Sequence, residues 1–395
     1  MTASAGAHGA AAAGGTRHRL AVVSSHPIQY HAPWYQQLAR HPELDLHVFF
    51  CRRATPQQQA DAGFGVDFEW DVPLLEGYAH SFLDDGAVDQ RLATFDVVLV
   101  NGWQEQRLRD AIRACWRRGV PVMVRGDSHL REPRPWWKKA AKELPYRWAL
   151  GRMNACLAAG TWSRDYFLHY GVPAERVFIV PHMVAESWFA ARVPELERRR
   201  GELRRQWSLA GQGTVLLYAG KLIPKKRPLD LLRAVQKAAA SASFELLMAG
   251  DGPLRPECER VVAEHRLPVR FTGFLNQSQM ASAYVASDVL VLPSDGGETW
   301  GLVVNEAMSC SRPALVSDRV GCGPDLVVPG RTGEIFPLGD VSALAALIQR
   351  YAGDESMLQK MGRQAKARAA AFSQAPAVEG VVRAVSSIVG EAARR

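Results

Sequence analysis

From residue 18 onward, short apolar runs alternate with longer amphipathic stretches. HRLAVVSS, LDLHVFF, FDVVLVNG, VPVMVRGD, ACLAAG and VFIVP read as strands, and APWYQQLARH and EQRLRDAIRACWRRG between them carry apolar residues at helical spacing. Several strands are apolar at successive positions, as expected where both faces are covered, and strands alternating with helices make a parallel α/β layer. A second series of the same kind runs through GTVLLYAG, FELLMAG, VRFTGF, SDVLVLPS and RPALVSD. Between the two lies ARVPELERRRGELRRQWSLAG, charge-rich and with little room for a central strand. The pattern predicts an α/β fold of two doubly wound parallel-sheet domains facing each other across a cleft. Its parts are a disordered lead-in over 1–17, a first domain over 18–190, a charged linker over 191–212, a second domain over 213–371 and a terminal helix over 372–395. Whether that last helix crosses back to the first domain is left open by the sequence.

A length of 395 residues is enough for two substantial cores. The formal charge of +8 suits a phosphorylated ligand or an anionic surface and requires neither. Six cysteines without a CxxC or a nearby histidine pattern read as thiols in a reducing, cytoplasmic setting, and no three-ligand metal pattern is present. No run of about 18 apolar residues suggests a membrane span. A nucleic-acid partner is not expected, because there is no separate basic recognition element.

Candidate chemistry gathers at predicted strand ends. In VLPSDGGETWGLVVNEAMS, the glycines 296, 297 and 301 weaken helix before Leu302, which puts Glu298 in a loop and Glu306 in the following helix. Carboxylates there suit a polyhydroxyl ligand, and free amide donors at the helix start suit phosphate. A surface-loop carboxylate and a solvated helix residue are the bland alternative. After LLYAG, Lys221, Lys225, Lys226 and Arg227 form a basic loop that could hold a diphosphate or simply face water. Gly250 and Gly252 in MAGDGPLR, and Gly321 and Gly323 in RVGCGPDL, allow close backbone approach or serve as turns. In the first half, His26, Gln29, Tyr30 and His31 follow the first strand and could meet acceptor or phosphate, or cap the core. Arg125, Asp127 and His129 cluster beyond another strand, where Asp127 or His129 could orient an acceptor hydroxyl and Arg125 could neutralise developing charge. Trp136, Trp137, Lys138, Lys139, Lys142, Tyr146, Arg147 and Trp148 could form a helix at an anionic membrane face, an acceptor wall or a solvated helix.

Taken in order, LYAGKLIPKKRPLDLL, MAGDGPLR, VRFTGFL, ASDVLVLPS and GETWGLVVNEAM resemble a family 4 glycosyltransferase of the two-domain GT-B fold, over most of residues 18–372 and most closely over 214–335. The resemblance implies transfer of a hexosyl or related group, with retention, from a nucleoside-diphosphate sugar to an acceptor hydroxyl in polysaccharide, glycolipid or metabolite synthesis, with no metal. UDP-sugars stand narrowly ahead of GDP-sugars as the expected donor, and the acceptor is open. By resemblance, Glu298 begins the family's E-x7-E motif and meets donor-sugar hydroxyls with Thr299, Trp300 and Gly301, while Glu306 holds the ribose. Lys226 matches the phosphate-binding lysine, and Lys221 stands where an arginine is usual. Gly250, Phe274 and Leu275 complete the nucleotide site. The family's first-loop glycine pair is replaced by HPIQYHAP, and an asparagine-glycine and aspartate by His182, Met183 and Ala185. A sugar-nucleotide epimerase and a nucleotide-sugar-binding module without catalysis are the competing functions.

Overall fold

The computed structural model describes residues 17–53, 71–83, 88–131, 135–210 and 213–394, without the side chains of 88 and 89. The expected lead-in lies outside these, except Arg17, which donates to the carbonyl of Leu44. Thirteen strands form among the described residues: β1 His18–Ser24, β2 Leu44–Phe50, β3 Ala79–Phe82, β4 Val97–Asn101, β5 Val122–Gly126, β6 Ala155–Ala158, β7 Val177–Ile179, β8 Thr214–Ala219, β9 Phe244–Ala249, β10 Val269–Gly273, β11 Val289–Leu292, β12 Ala314–Ser317 and β13 Gly333–Phe336. They make two parallel sheets, in the orders β3-β2-β1-β4-β5-β6-β7 and β10-β9-β8-β11-β12-β13.

Central strands are largely buried, TVLLYA of β8 and VLVL of β11 at every position. Each sheet is covered on both faces by helices, which is why these strands show no polar alternation. In both sheets the strand order reverses at the centre, between β1 and β4 and between β8 and β11. Loops leaving the carboxyl ends at such a point diverge and open a crevice.

One segment departs from the sequence reading, and another fills in a point that the sequence left open. The stretch expected as a charged linker is helical, Glu186–Arg198 followed by Arg200–Gln206, and Phe189, Val193, Leu203 and Leu209 enter the core of the second sheet. Arg204 is buried there because Asp288 and the carbonyl oxygens of Ala286 and Gly213 accept its hydrogen bonds. The last helix, Gln374–Ala392, follows the second domain in sequence but packs on the first sheet. Val378, Val381, Val385 and Ile388 join the core of Trp34, Leu38 and Val48, and Gln37 donates to Gln374 at 2.6 Å.

Candidate functional site

The loops at the two reversal points face each other, and their side chains meet. After β8, Pro224–Lys226 turns once as a 3-10 helix and Arg227 takes a left-handed conformation, φ 54°, which leads into the helix Pro228–Ala238. This turn lays Lys226 along Gly220 and brings its ammonium to the Glu298 carboxylate, both side chains about one-seventh exposed. After β11, the amide of Asp295 donates to the carbonyl of Lys225 at 2.8 Å, which joins the two loops. Gly301, at φ 99°, lets the chain turn directly from Trp300 into the helix Leu302–Ser309. That helix starts at the pocket wall, and its first amides are donors with no partner inside the helix.

Gly321 pins this loop from outside. Its amide donates to the carbonyl of Glu298 at 3.0 Å, and a Cβ at Gly321 would lie 1.8 Å from the Thr299 carbonyl oxygen. Gly321 thus serves close packing of backbone on backbone. Trp300 is 4 % exposed, its indole N–H donating to Asn305 at 2.8 Å and its ring lying against His182 and Phe372. Its side chain therefore props the loop from the core, and the residue also lines the pocket where the sugar contact is expected.

Glu306, one turn into the helix, is buried. Its carboxylate accepts from Tyr284 at 2.6 Å and from Tyr30, on the first domain, at 3.2 Å. Burial pushes its pKa up to about 7, against the pull of the two tyrosine hydrogen bonds. Lys221 lies beside Lys225 and Lys226, and burial together with these like charges brings its pKa down to about 8.

Across the cleft, β5 ends at Gly126 and delivers Asp127. Its carboxylate accepts from the Thr299 hydroxyl at 2.7 Å and lies 3.4 Å from His182 Nε2. Burial alone would raise the Asp127 pKa, but hydrogen bonds from His182 and Thr299 and the charge of Arg125 hold it well below the usual carboxylate range. His182, after β7, is held from behind by Arg125, which is 2 % exposed and also donates to the carbonyl of Pro181 at 3.1 Å. Burial and the nearby guanidinium lower the His182 pKa.

A pocket of about 280 Å³ results, and Tyr30, Asp127, His182, Lys226, Glu298 and Thr299 reach it from both domains. Of the expected residues, the structure brings together Glu298, Thr299, Trp300, Gly301, Lys226, Asp127 and Tyr30, with Glu306 directly behind Tyr30. His129 is not among them. It accepts from the amide of Arg131, sits edge-on to Trp162, and lines a second, larger cavity beyond Thr299. His26 lies with Ser25 and Arg52, and Gly250, Phe274, Leu275 and Gln29 lie outside the pocket lining. Gly250 bridges to Gly273, and a Cβ on it would lie 1.9 Å from the Gly220 carbonyl oxygen, so its lack of a side chain serves packing between strand ends. His182 was visible in the sequence only as a departure from a motif; its place after the strand VFI was the one signal. Among the described residues no three His, Cys, Asp or Glu side chains converge as a metal site.

An ammonium, two carboxylates and free helix amides together can bind a diphosphate and several hydroxyls at once. Comparisons with known proteins agree with that chemistry. In sequence, the chain is 28% identical over 197 residues to an alpha-D-kanosaminyltransferase of Streptomyces kanamyceticus, covering 49% of this chain and 50% of that protein. It is 31% identical over 218 residues to a GDP-mannose-dependent alpha-mannosyltransferase of Mycobacterium tuberculosis, covering 49% and 54%. The chain spans about half the length of these curated relatives. In structure, it resembles Anabaena HepE, solved with UDP and glucose, at a TM-score of 0.70 and 15% identity over 94% of this chain and all of that one. It also resembles sucrose-phosphate synthase of Thermosynechococcus elongatus, at 0.68 and 18% over 95% and all of that chain. The fold is GT-B. Residues 199–368 match the family model for glycosyl transferases group 1, a stretch that includes Lys226, Glu298 and Glu306.

Proposed function

We propose that the protein is a retaining glycosyltransferase that moves a hexosyl or related group from a nucleoside-diphosphate sugar to an acceptor hydroxyl. The observation that carries this reading is the Lys226–Glu298 pair at the reversal point of the second sheet, set against Asp127 and His182 of the first. With no donor bound, the two charges neutralise each other in a site where an unpaired charge is costly. A donor replaces one internal contact with two external ones. Lys226 turns to the diphosphate, joined by Lys221 and the first amides of the helix Leu302–Ser309, and Glu298 accepts from hydroxyls of the transferred sugar. Glu306 accepts from the ribose when Tyr30 gives way. UDP- and GDP-sugars both fit these contacts, and the relatives include users of GDP-mannose beside a neighbour solved with UDP.

Reaction takes place on the front face of the sugar. As the bond from the anomeric carbon to the diphosphate oxygen breaks, negative charge grows on that oxygen, where Lys226 and Lys221 stabilise it. The acceptor oxygen bonds to the same face and its proton passes to the departing diphosphate. Asp127, kept ionised by His182, accepts a hydrogen bond from the acceptor and sets its direction. Neither glutamate forms a covalent intermediate.

Lys226→Ala is expected to lower turnover of the cognate donor by about 10²- to 10³-fold, with the far-ultraviolet circular dichroism unchanged. Near-normal turnover in a direct transfer assay across UDP- and GDP-sugars would overturn the role of Lys226. Tight nucleotide-sugar binding without transfer to any of a broad set of acceptors would favour a binding module instead.

A further inference from the structure

The first domain holds a cavity of about 940 Å³ that the transfer reaction as described does not use. It lies between the helices Gln106–Arg118, Trp136–Gly151 and Thr161–His169. Its volume is at the upper end of the range for sites that enclose drug-sized ligands. The two cavities adjoin: Thr299 lines both, and while Asp127 borders the donor pocket, Ser128 and His129 border the larger space. A molecule lying in the larger cavity would therefore have one end beside the reacting centre.

Its walls are apolar and aromatic, with Ile112, Trp116, Tyr146, Trp148 and Met153 among them. The charge is one-sided. Glu143 is paired with Arg147 at 2.7 Å and His169 at 3.3 Å, and Asp110 with Arg113 at 2.9 Å, whereas Lys139 and Lys142 also line the space. Lys142 lies over the Tyr146 ring at 5.3 Å. The combination matches a ligand with an apolar body and an acidic group.

The helix Trp136–Gly151 forms one wall, and only Leu150 of it is buried. Trp137, Leu144 and Trp148 are 55%, 77% and 60% exposed, and their spacing of seven and four residues places them on one face. Trp148 belongs both to that outer face and to the cavity wall. An exposed apolar stripe flanked by lysines and continuous with an apolar cavity is the arrangement of a surface that rests on a bilayer and draws a lipid from it.

We propose that this cavity is the acceptor subsite and that it takes the apolar tail of an acidic, membrane-borne acceptor. The tail lies against Trp116, Tyr146 and Trp148, the acidic group is near Lys139 and Lys142, and the hydroxyl to be glycosylated is presented at Thr299. That the bound lipid is the acceptor rests on the transferase reading; that the cavity binds an acidic amphiphile does not.

Calorimetry on the full chain tests the cavity with dodecyl phosphate below its micellar concentration, dodecyl maltoside and inorganic phosphate as probes. Dodecyl phosphate is expected to bind saturably at one site, at least tenfold tighter than dodecyl maltoside, with no binding of phosphate alone. Ala140→Trp narrows the cavity from an exposed position, and is expected to weaken dodecyl phosphate at least tenfold while UDP or GDP binding stays within twofold. Lys139→Glu, also at an exposed position, is expected to weaken it severalfold. Sedimentation with phosphatidylglycerol vesicles is expected for the wild-type chain at low and moderate salt, and a Trp137→Ser, Leu144→Ser double variant should lose at least fivefold of it. Equal binding of phosphate and dodecyl phosphate, indifference to both Ala140→Trp and Lys139→Glu, or no vesicle binding would each overturn the proposal. A dodecyl glycoside should exceed the methyl glycoside of the same sugar at least tenfold in kcat/KM as acceptor, and equal values would overturn the acceptor assignment. If no nucleotide binds and no donor turns over, the transferase reading fails, and the dodecyl phosphate result still decides the cavity.

Discussion

At the cleft edge of the second sheet, charged groups are satisfied by side-chain partners: Lys226 meets Glu298, and Glu306 meets Tyr284 and Tyr30. At the cleft edge of the first sheet, the one carboxylate in the pocket is backed by a histidine and an arginine, and beyond it lies a cavity walled by tryptophan and tyrosine. On the proposed function, the edge of the second sheet serves polar groups common to every nucleotide sugar, and the edge of the first sheet serves a particular shape. A wide choice of partners can be accommodated by changing the aromatic walls while the paired charges stay as they are.

The largest effect that separates the two edges should come from Glu298→Ala. It leaves Lys226 buried without its carboxylate and removes the acceptor for sugar hydroxyls, so turnover is expected to fall by about 10²- to 10³-fold; a loss under tenfold would mean that the donor is held elsewhere. Asp127→Asn should act on the other edge alone, lowering kcat by about 10- to 100-fold while UDP or GDP affinity by calorimetry stays within twofold. If nucleotide affinity falls along with kcat, Asp127 belongs to the donor site and the contrast dissolves.

The pH dependence of nucleotide binding sharpens the donor edge. On the proposed reading, ribose hydroxyls donate to an ionised Glu306, whose pKa of about 7 means that affinity should rise as pH rises through 7. Lys221, brought down to about 8, loses its charge above that point, and affinity should then fall. Binding is thus expected to be tightest between about 7 and 8, and calorimetry at pH 7 in buffers of different ionisation enthalpy should show proton release that Glu306→Gln removes. A flat profile would remove Glu306 from the nucleotide site.

Smaller effects are expected from two glycines that mirror the comparison. A Cβ on Gly321 meets the Thr299 backbone, which cannot yield, whereas one on Gly126 meets the Trp103 ring at 2.6 Å, and that ring borders the large cavity. Gly321→Ala should cost about 1–3 kcal/mol in denaturant unfolding, and Gly126→Ala about 1 kcal/mol or less. Equal losses would show the cleft edge of the first sheet to be as tightly packed as that of the second.

Most strands were legible because the central ones carry unbroken apolar runs, such as LAVV in β1, VLLYA in β8 and VLVL in β11. Those missed were β3, AHSF, and β13, GEIF, both at sheet edges, where partial exposure and four residues leave no clear pattern. Phe189, Val193, Leu203 and Leu209 were hidden among arginines, and a segment so charged reads as a linker until Asp288 is seen to take up Arg204. At the site, Glu298 and Lys226 could be found because the motifs that carry them follow one another in a fixed order. The Tyr30 contact to Glu306 spans 276 residues and joins two domains, so nothing local announces it. The burial of Trp300 was hidden for a related reason: it depends on Phe372 and His182, one after the second domain's last strand and one in the first domain.

The return of the helix Gln374–Ala392 to the first sheet has a consequence for how the molecule comes into being. As the chain is synthesised from its amino end, the first domain is made early but lacks Val381, Val385 and Ile388 until the second domain has been made. The second domain has no such wait. The first half to be made is therefore the last to close, and severing the chain between the domains would yield one half able to complete its core and another with a hydrophobic groove exposed to the first helix that fits it.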